Sequence, residues 1–353
     1  MIKTSAKTAR ILIDKINEVV KRPIKLMEVC GTHTNAISAS GIRQSMPKKL
    51  QLLSGPGCPV CVTAQSDIDW VIGLARTDKA VIATFGDLMR VPGTESTLEK
   101  EKAQGANIRV VYSCLDSLKY AEDKKPAVFI GVGFETTAPT IAGTVIKAHA
   151  NKIKNFYVAP FFKLIPPALR VIASNPGLKI DGFILPGHVS TIIGKRPYQF
   201  LVDQYRKPCA ITGFEALDIL QGIYLILKQL KDRKPEIAIQ YERSVNQQGN
   251  LTAQKIIKAV FKTTHAEWRG LGVIKDSGLL FANKFARYDA RAHFTIKVPK
   301  PKPTGCRCGD VLLGSIIPPQ CGLFAKICTP SNPIGPCMVS SEGACAAYYK
   351  YER

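Results

Sequence analysis

The chain has 353 residues, which is too long for one compact core and predicts roughly two to three domains. Its 46% hydrophobic and 22% charged residues place it in the ordinary globular class and exclude an intrinsically disordered protein. The formal net charge is +22, but the basic residues are scattered without interleaved aromatic residues, which indicates a solvated surface and not a nucleic-acid-binding face.

The first predicted element is an amphipathic helix over residues 5–22, because apolar residues recur at near-helical spacing from Ile11 to Val20 and Pro23 follows. We expect this helix, within a leading segment 1–23, to pack on a later domain. No stretch contains the roughly 18 consecutive apolar residues of a membrane span, and the N-terminus lacks the pattern of a secretion signal. The sequence therefore predicts a cytoplasmic protein that does not insert into a membrane.

Short β-rich runs then alternate with stretches of helical periodicity, which is typical of βαβ units and parallel sheets. Most of the runs end in a turn with glycine or proline, and doubly wound sheets carry their ligands on such loops. The runs cover residues 24–29, 50–54, 81–85, 108–111, 127–131, 156–159, 182–185 and 208–212.

A polar stretch at residues 121–125 suggests a division between these runs. We therefore predict an α/β fold with two similar Rossmann-like parallel-sheet domains, at residues 24–120 and 121–232. Residues 233–353 become irregular and then rich in cysteine, and they predict a mostly irregular or helical C-terminal domain.

Cysteine is the informative residue type, since the chain contains eleven. Cytoplasmic thiols are kept reduced, which favours metal ligands or redox thiols over a disulfide framework. Cys114 and Cys209 lie beside apolar residues without clustered partners, so we expect both in the core.

Four cysteines of the C-terminal segment are separated by fourteen, six and sixteen residues, among glycines and prolines that let loops fold around a compact group. This spacing favours an iron–sulfur cluster over structural zinc, whose ligands usually come in closely spaced pairs. Cys308 and Cys337 compete for the same four places, and the two thiols left over can form a disulfide beside the cluster. The four are Cys306, Cys321, Cys328 and Cys345.

A second pair is Cys58 and Cys61 in SGPGCPVC, directly after an apolar run. Two intervening residues allow a small disulfide ring, and a helix N-terminus lowers thiol pKa values, so the pattern predicts a redox pair. The alternative is half of a zinc knuckle, but the sequence has no second C-x-x-C to complete it.

Four further residues lie in three glycine-containing loops after predicted strands. Cys30 and His33 of CGTHT can together hold a transition metal, although Cys30 can also be a buried apolar residue and His33 can orient its loop. Glu135 of GFETTAP and His188 of PGHVSTIIG can transfer protons or orient ligands. Alternatively, Thr136 and Thr137 cap a helix and leave Glu135 in solvent.

The five motifs together resemble the HypD family of hydrogenase maturation factors. They are long, differ from one another and occur in family order across nearly the whole chain. The motifs are CGTHT, SGPGCPVC, GFETTAPT, PGHVSTIIG and the tail CRCGDVLLG…CGLF…CTPSNPIGPCMVSSEGACAAYYKY.

The resemblance implies a scaffold and redox protein on which an iron ion receives cyanide and carbon monoxide, forming Fe(CN)2CO for the large subunit of NiFe hydrogenase. It implies two partners, a HypC-like small chaperone and a HypE-like donor that carries cyanide as a thiocyanate on its C-terminal cysteine. The family's essential cysteine matches Cys30, its redox pair matches Cys58 and Cys61, and its 4Fe–4S ligands match the four tail cysteines.

From this resemblance we expect iron in the cleft between the two α/β domains, with Cys30 as a ligand and His33 nearby. The Cys58/Cys61 pair would supply electrons, and the tail cluster would recharge it directly or through Cys308 and Cys337. Glu135 and His188 would orient ligands or supply protons.

Two other functions remain to be distinguished. One is a cluster-dependent disulfide reductase resembling ferredoxin-thioredoxin reductase, which accounts for the thiols but not for CGTHT. The other is a zinc-bearing nucleic-acid binder, which draws only on charge.

Overall fold

The computed structural model of the chain describes the backbone of residues 2–122 and 125–353. It describes the side chains of residues 6–121 and 125–353. All eight β-rich runs of the sequence form strands, with bounds within three residues of those predicted. The strands are β1 Ile24–Glu28, β2 Leu50–Ser54, β3 Val81–Thr84, β4 Ile108–Val110, β5 Ala127–Gly133, β6 Phe156–Phe162, β7 Gly182–Pro186, β8 Cys209–Thr212, β9 Ile237–Ile239, β10 Phe261–Trp268 and β11 Gly272–Phe281.

Helices connect most of these strands and cover the sheets. Central strands such as β5 are buried at every residue, as expected where helices cover both faces of a parallel sheet. The helices are α1 Ile2–Val19, α2 Gly31–Ala39, α3 Ile42–Ser45, α4 Pro59–Val62, α5 Gln65–Arg76, α6 Leu98–Ala103, α7 Ala138–Ala150, α8 Ile165–Ala173, α9 Gly187–Ile193, α10 Phe200–Asp203, α11 Ala216–Asp232, α12 Leu251–Val260, α13 Ala290–His293, α14 Cys308–Leu312 and α15 Ala344–Tyr351.

Two parallel sheets form the α/β part of the described chain. The first has five strands in the order β2-β1-β7-β8-β9, and the second has four in the order β4-β3-β5-β6. The α/β class with two Rossmann-like sheets is therefore confirmed.

The predicted division of the chain at residue 120 does not coincide with these sheets. The first sheet takes strands from residues 24–54 and 182–239, and the second takes 81–162, which is inserted between them. Leu26 of β1 pairs with Leu52 on one side and with Gly182 on the other. Local periodicity indicates that a segment forms a strand but does not indicate which strand it pairs with, so the polar stretch at residues 121–125 was wrongly taken as a domain boundary. Residues 123–124 of that stretch lie outside the described residues.

The two sheets share a buried apolar core. Leu53 and Phe183 of the first sheet belong to the same buried cluster as Ile130 and Phe161 of the second. This continuity holds the loops at the strand ends of the two sheets in a fixed relation.

The leading helix α1 packs on α11 of the first sheet, with Ile16 and Ile223 fully buried in one apolar cluster. It ends at Val19, a few residues before Pro23. Among the described residues, no helix combines the length and the apolar character that crossing a bilayer requires.

The region after residue 232 is more regular than predicted. Strand β9 joins the first sheet, while β10 and β11 form an antiparallel hairpin that contacts β6 of the second. Helix α12 packs on α7. Phe261 and Phe281 of the hairpin pack in the same buried cluster as Phe129 of the second sheet, and the irregular, cysteine-bearing tail begins only near residue 295.

Candidate functional site

The predicted site residues of the two sheets follow the carboxyl ends of parallel strands, either in the connecting loop or, for His33, Cys61 and His188, in the first turn of the next helix. In the first sheet, Cys30 follows β1, the Cys58/Cys61 pair follows β2 and His188 follows β7. Since these strands are neighbours, their loops meet at one edge of the sheet. Glu135 follows β5 of the second sheet.

The Cys30 loop and the Cys58 loop pack backbone against backbone. The amide of Gly31 donates to the carbonyl oxygen of Gly57 at 2.8 Å. A Cβ atom on Gly57 would overlap the main chain of Cys30, so only glycine permits this approach. The backbone thereby holds Cys30 next to the loop that carries Cys58 and Cys61.

A buried carboxyl group, that of Glu28, accepts hydrogen bonds from the Cys30 loop. Glu28 is 1% exposed; its Oε2 accepts from the amide of Cys30 at 3.0 Å and its Oε1 from the hydroxyl of Thr34 at 2.5 Å. Burial raises the pKa of Glu28 to about 7, against the hydrogen bonds that lower it. Glu28 thus ties the end of β1 to the first turn of α2.

Cys30 is the residue that precedes α2 and it is 8% exposed. Burial raises the pKa of its thiol to about 12, although the amides of His33 and Thr32 donate toward the sulfur and oppose the rise. The free thiol therefore stays protonated near neutral pH. A metal cation in contact with the sulfur would reverse this balance, because coordination deprotonates a thiol.

His33 is fully buried one turn after Cys30. Its Nε2 lies 2.9 Å from the carbonyl oxygen of Gly213 and 2.9 Å from the hydroxyl of Thr212, so the carbonyl assigns the proton to Nε2. Its Nδ1 has no hydrogen-bond partner within the described residues. Burial lowers the pKa of His33 to about 4, which leaves a neutral ring with a free lone pair.

Phe214 connects the two histidines of the site. His188 stacks on its ring with centroids 3.9 Å apart, and the ring of His33 lies 4.8 Å away on a tilt. The side chain of His188 is exposed to solvent, whereas that of His33 is fully buried. Burial of part of the His188 ring lowers its pKa.

Glu135 is buried, contrary to the alternative in which it is solvated while threonines cap the helix. Its Oε1 accepts from the amide of Ile165 at 2.9 Å, and its Oε2 has no partner among the described residues. Thr137 precedes α7 but makes no side-chain cap. Burial raises the pKa of Glu135 to about 7, which suits a group that exchanges protons near neutral pH.

Cys58 and Cys61 are joined as a disulfide, with 5.2 Å between their Cα atoms. Both are almost fully buried, at 3% and 0% exposure. The Sγ of Cys61 lies 4.0 Å from the carbonyl oxygen of Pro336, the residue before Cys337. The pair therefore contacts the cysteine-bearing tail.

The tail also contacts the Cys30 loop. The hydroxyl of Thr32 donates to Glu342 at 3.0 Å, and the side-chain amide of Asn35 donates to the carbonyl oxygen of Ser341 at 3.1 Å. Side-chain atoms of Glu342 occupy the space that a Cβ on Gly31 would need. The three thiol-bearing segments thus form one contiguous region.

The six tail cysteines line one small cavity. Cys345 interacts electrostatically with four of the others, and burial followed by these like charges raises its pKa well above the usual value. Clustered thiolates need cations to be stable, and soft sulfur donors on loops fit a thiolate-bound iron–sulfur cluster. The six are Cys306, Cys308, Cys321, Cys328, Cys337 and Cys345.

The fit concerns the number and kind of donors. Within the part of the chain that the structure describes, no three His, Cys, Asp or Glu side chains already stand in the arrangement of a metal site. Cys308 and Cys337 are free thiols in the structure, so their disulfide stays a prediction. Cys114 and Cys209 are buried core residues, as expected.

Sequence reasoning missed three contributors. Glu28 lies inside an apolar run, and only its position two residues before Cys30 hinted at a role. Phe214 belongs to a Gly-Phe-Glu sequence that also occurs at residues 133–135, but three residues are too few to indicate a role. Arg269, whose amide donates to the carbonyl oxygen of Val62 directly after Cys61 at 2.9 Å, lies in the turn between β10 and β11, which were not predicted from the sequence.

Comparison with known proteins covers almost the full chain. The profile of the HypD family, described as the hydrogenase formation hypA family, matches residues 7–352. The chain is 42% identical to the hydrogenase maturation factor HypD of Escherichia coli (strain K12), over 96% of this chain and 92% of that protein. It is 43% identical to HypD of Cupriavidus necator, over 93% and 89%, and 40% identical to HypD of Rhodobacter capsulatus, over 96% and 92%. The chain belongs to the HypD family of hydrogenase maturation factors.

Proposed function

We propose that this chain is the scaffold and redox protein on which Fe(CN)2CO is assembled for the large subunit of NiFe hydrogenase. The iron ion is its cargo; a HypC-like chaperone shares the iron, and a HypE-like protein donates cyanide. The observation that carries the proposal is the contact between the Cys30 and Cys58 loops through Gly31 and Gly57. It brings a prospective iron ligand beside a dithiol/disulfide pair.

Cys30 binds the iron in this proposal. A soft thiolate suits Fe(II) with strong-field ligands, and the low exposure of Cys30 limits competing water. The free Nδ1 of His33 is a second prospective donor, held by the contact of Nε2 with Gly213. The bond to Gly213 fixes the ring orientation, as second-shell contacts do in metal sites.

The reduced Cys58/Cys61 pair supplies the electrons for cyanide release. The sulfur–carbon bond of the donor's thiocyanate breaks with two electrons, giving a donor thiolate and cyanide, which binds iron. The two thiols of Cys58 and Cys61 lose two electrons and two protons and form the observed disulfide. Glu135, with a pKa of about 7, and the solvent-exposed His188 are suited to take protons or orient ligands.

The cluster is a second component of the proposal. Its ligands would be the four cysteines predicted from spacing, which share the tail cavity with Cys308 and Cys337. When bound, a 4Fe–4S cluster supplies electrons one at a time. The contact between Cys61 and Pro336 supports a role for the tail in returning the disulfide to the dithiol.

Infrared spectroscopy tests the iron assignment. In anaerobically purified protein with its small chaperone we expect cyanide and carbonyl stretches, which fall where proteins are silent. Cys30→Ala should abolish these bands while the visible absorbance of the cluster persists. Cys114→Ala, a buried thiol outside the site, should keep them; unchanged bands in Cys30→Ala would refute the assignment.

The disulfide reductase is less well supported, since Cys58 and Cys61 are too buried for a protein disulfide to reach without rearrangement. Multiple turnover of a thioredoxin-like substrate by the isolated chain would favour it.

A further inference from the structure

Arg269 lies in the turn of the β10–β11 hairpin, between the redox pair and the tail. Its amide donates to the carbonyl oxygen of Val62, the last residue of the helix that contains Cys61, at 2.9 Å. Its Nε donates to the carbonyl oxygen of Thr63 at 2.9 Å, and its Nη1 donates to Gln65 at 2.5 Å. Three hydrogen bonds therefore attach Arg269 directly behind the CPVC sequence.

The other side of the same turn rests on the tail. Gly270 and Gly309 meet so closely that a Cβ on either would overlap the backbone of the other. Gly309 follows Cys308 in α14, and Arg269, Cys306 and Cys308 line one cavity. The hairpin turn therefore contacts the segment of Cys58 and Cys61 on one side and the segment of Cys306 and Cys308 on the other.

The guanidinium of Arg269 has an unused donor in this position. Its Nη2 is shielded from solvent and has no partner in the described part of the chain. Burial lowers the pKa of Arg269, while the charges of Cys308, Cys337, Cys306 and, more weakly, Asp69 raise it. Asp69 is already engaged by the amide and hydroxyl of Thr94, at 2.6 Å each. A buried cation with a free donor is stabilised by an anionic neighbour, and Cys306 and Cys308, which line the same cavity as Arg269, would become anionic on binding a cluster or a metal ion.

We propose that Arg269 is a positioning residue that holds a fixed positive charge beside the tail cysteines, next to the prospective cluster ligand Cys306, and raises the reduction potential of the tail cluster. The inference rests on the proposed function, since it concerns the same tail cluster. One-electron reduction adds a negative charge to a thiolate-bound cluster, and a cation nearby stabilises the added charge.

Anaerobic redox titration of the full-length protein, followed by electron paramagnetic resonance, tests this role. Arg269→Gln removes the charge but keeps a side-chain donor, and we expect its one-electron reduction equilibrium to fall about tenfold, or about 59 mV to more negative potential. Arg269→Lys keeps the charge and should stay within about twofold of wild type. Arg307→Gln is the matched control, because Arg307 stands between Cys306 and Cys308 in sequence but is 49% exposed and paired with Asp310 at 2.7 Å. Its shift should be smaller than that of Arg269→Gln.

Iron and acid-labile sulfide are measured on every variant. Wild-type protein without iron and sulfide would overturn the cluster assignment and this inference with it. A loaded Arg269→Gln protein with an unchanged potential, or with the same shift as Arg307→Gln, would overturn the role of Arg269 alone. If Arg269→Gln does not fold, Arg269→Lys decides, and a tenfold fall in that variant would overturn the inference.

Discussion

Glu28 shows how a single buried carboxyl governs the geometry of the Cys30 loop. One oxygen accepts from the amide of Cys30 and the other from Thr34, whose hydroxyl also lies 3.3 Å from the carbonyl oxygen of Cys30. When Glu28 is protonated, its O–H can donate to the Thr34 hydroxyl, which can in turn donate to that carbonyl. The neutral acid therefore keeps the loop in place and avoids the cost of a buried charge.

The raised pKa of Glu28 makes part of the stability depend on pH. Because the folded state holds the proton more tightly, the stabilisation is present in full below the unfolded pKa near 4.5 and is lost as pH rises through about 7. In Glu28→Gln the amide can copy the neutral acid, donating to Thr34 and accepting from Cys30. Relative to wild type, this variant should gain about 2 kcal/mol of unfolding free energy between pH 5 and pH 8.

Urea denaturation of both proteins at the two pH values measures this difference, and the comparison cancels the opposing contribution of His33. Glu28→Ala is the control, since it removes both hydrogen bonds and should be destabilised at both pH values. A pH-independent difference between Glu28→Gln and wild type would contradict the role given to Glu28.

At the scale of elements, the site depends on the meeting of the loops after β1 and β2. The parallel pairing of these strands from Ile24/Leu50 to Glu28/Ser54 brings both loops to the same edge. The absence of a side chain at Gly57 then lets the main chain of one loop lie against Cys30 in the other. Neither condition suffices alone.

Gly57→Ala should separate these loops. The added methyl group overlaps the backbone of Cys30, which cannot yield as a flexible side chain would, and we expect a loss of about 1–3 kcal/mol in unfolding free energy. The proposed function further predicts weaker iron–cyanide infrared bands in this variant, because Cys30 moves away from Cys58 and Cys61.

Gly143→Ala provides the matched control for that substitution. Gly143 lies inside α7 with no atom near the added methyl group, so alanine there should be neutral or stabilise by about 0.5–1 kcal/mol. Equal effects of the two substitutions would contradict the close approach of the loops.

At the scale of the whole molecule, the C-terminal end closes onto the first sheet. Helix α15 packs on α2, and Glu352 accepts from Arg43 at 3.0 Å and from the hydroxyl of Ser38 at 2.5 Å. The side chain of Glu352 is only 7% exposed. This closure holds the cysteine tail beside the helix that Cys30 precedes.

Glu352→Ala should loosen that closure. It leaves Arg43 and Ser38 without their carboxylate, and we expect the unfolding free energy to fall by about 1–3 kcal/mol. Amide hydrogen exchange should increase first in α2 and α15. Glu95→Ala removes an exposed partner of Arg76, whose side chain is 46% exposed, and should change stability by less than about 1 kcal/mol. Similar losses in the two variants would argue against a structural role for Glu352.

The sequence by itself determined eight of the nine described strands of the two parallel sheets and the strand ends after which Cys30, Cys58, Glu135 and His188 lie. Apolar periodicity and glycine-rich turns are local properties, and they report burial and strand ends directly. The long motifs also determined the HypD family, which the comparisons confirm.

Only the tertiary structure decided which strands pair and what surrounds each site residue. The strand that begins at Gly182 pairs with β1, although the residues of the second sheet lie between them in the sequence. Phe214 and Arg269 acquire their roles from partners distant in the chain, and Glu28 acquires its raised pKa from burial in the packed core. The physical reason is that the pairing of strands and the burial of ionisable side chains depend on the whole packed core, whereas periodicity reports only the local pattern of apolar residues.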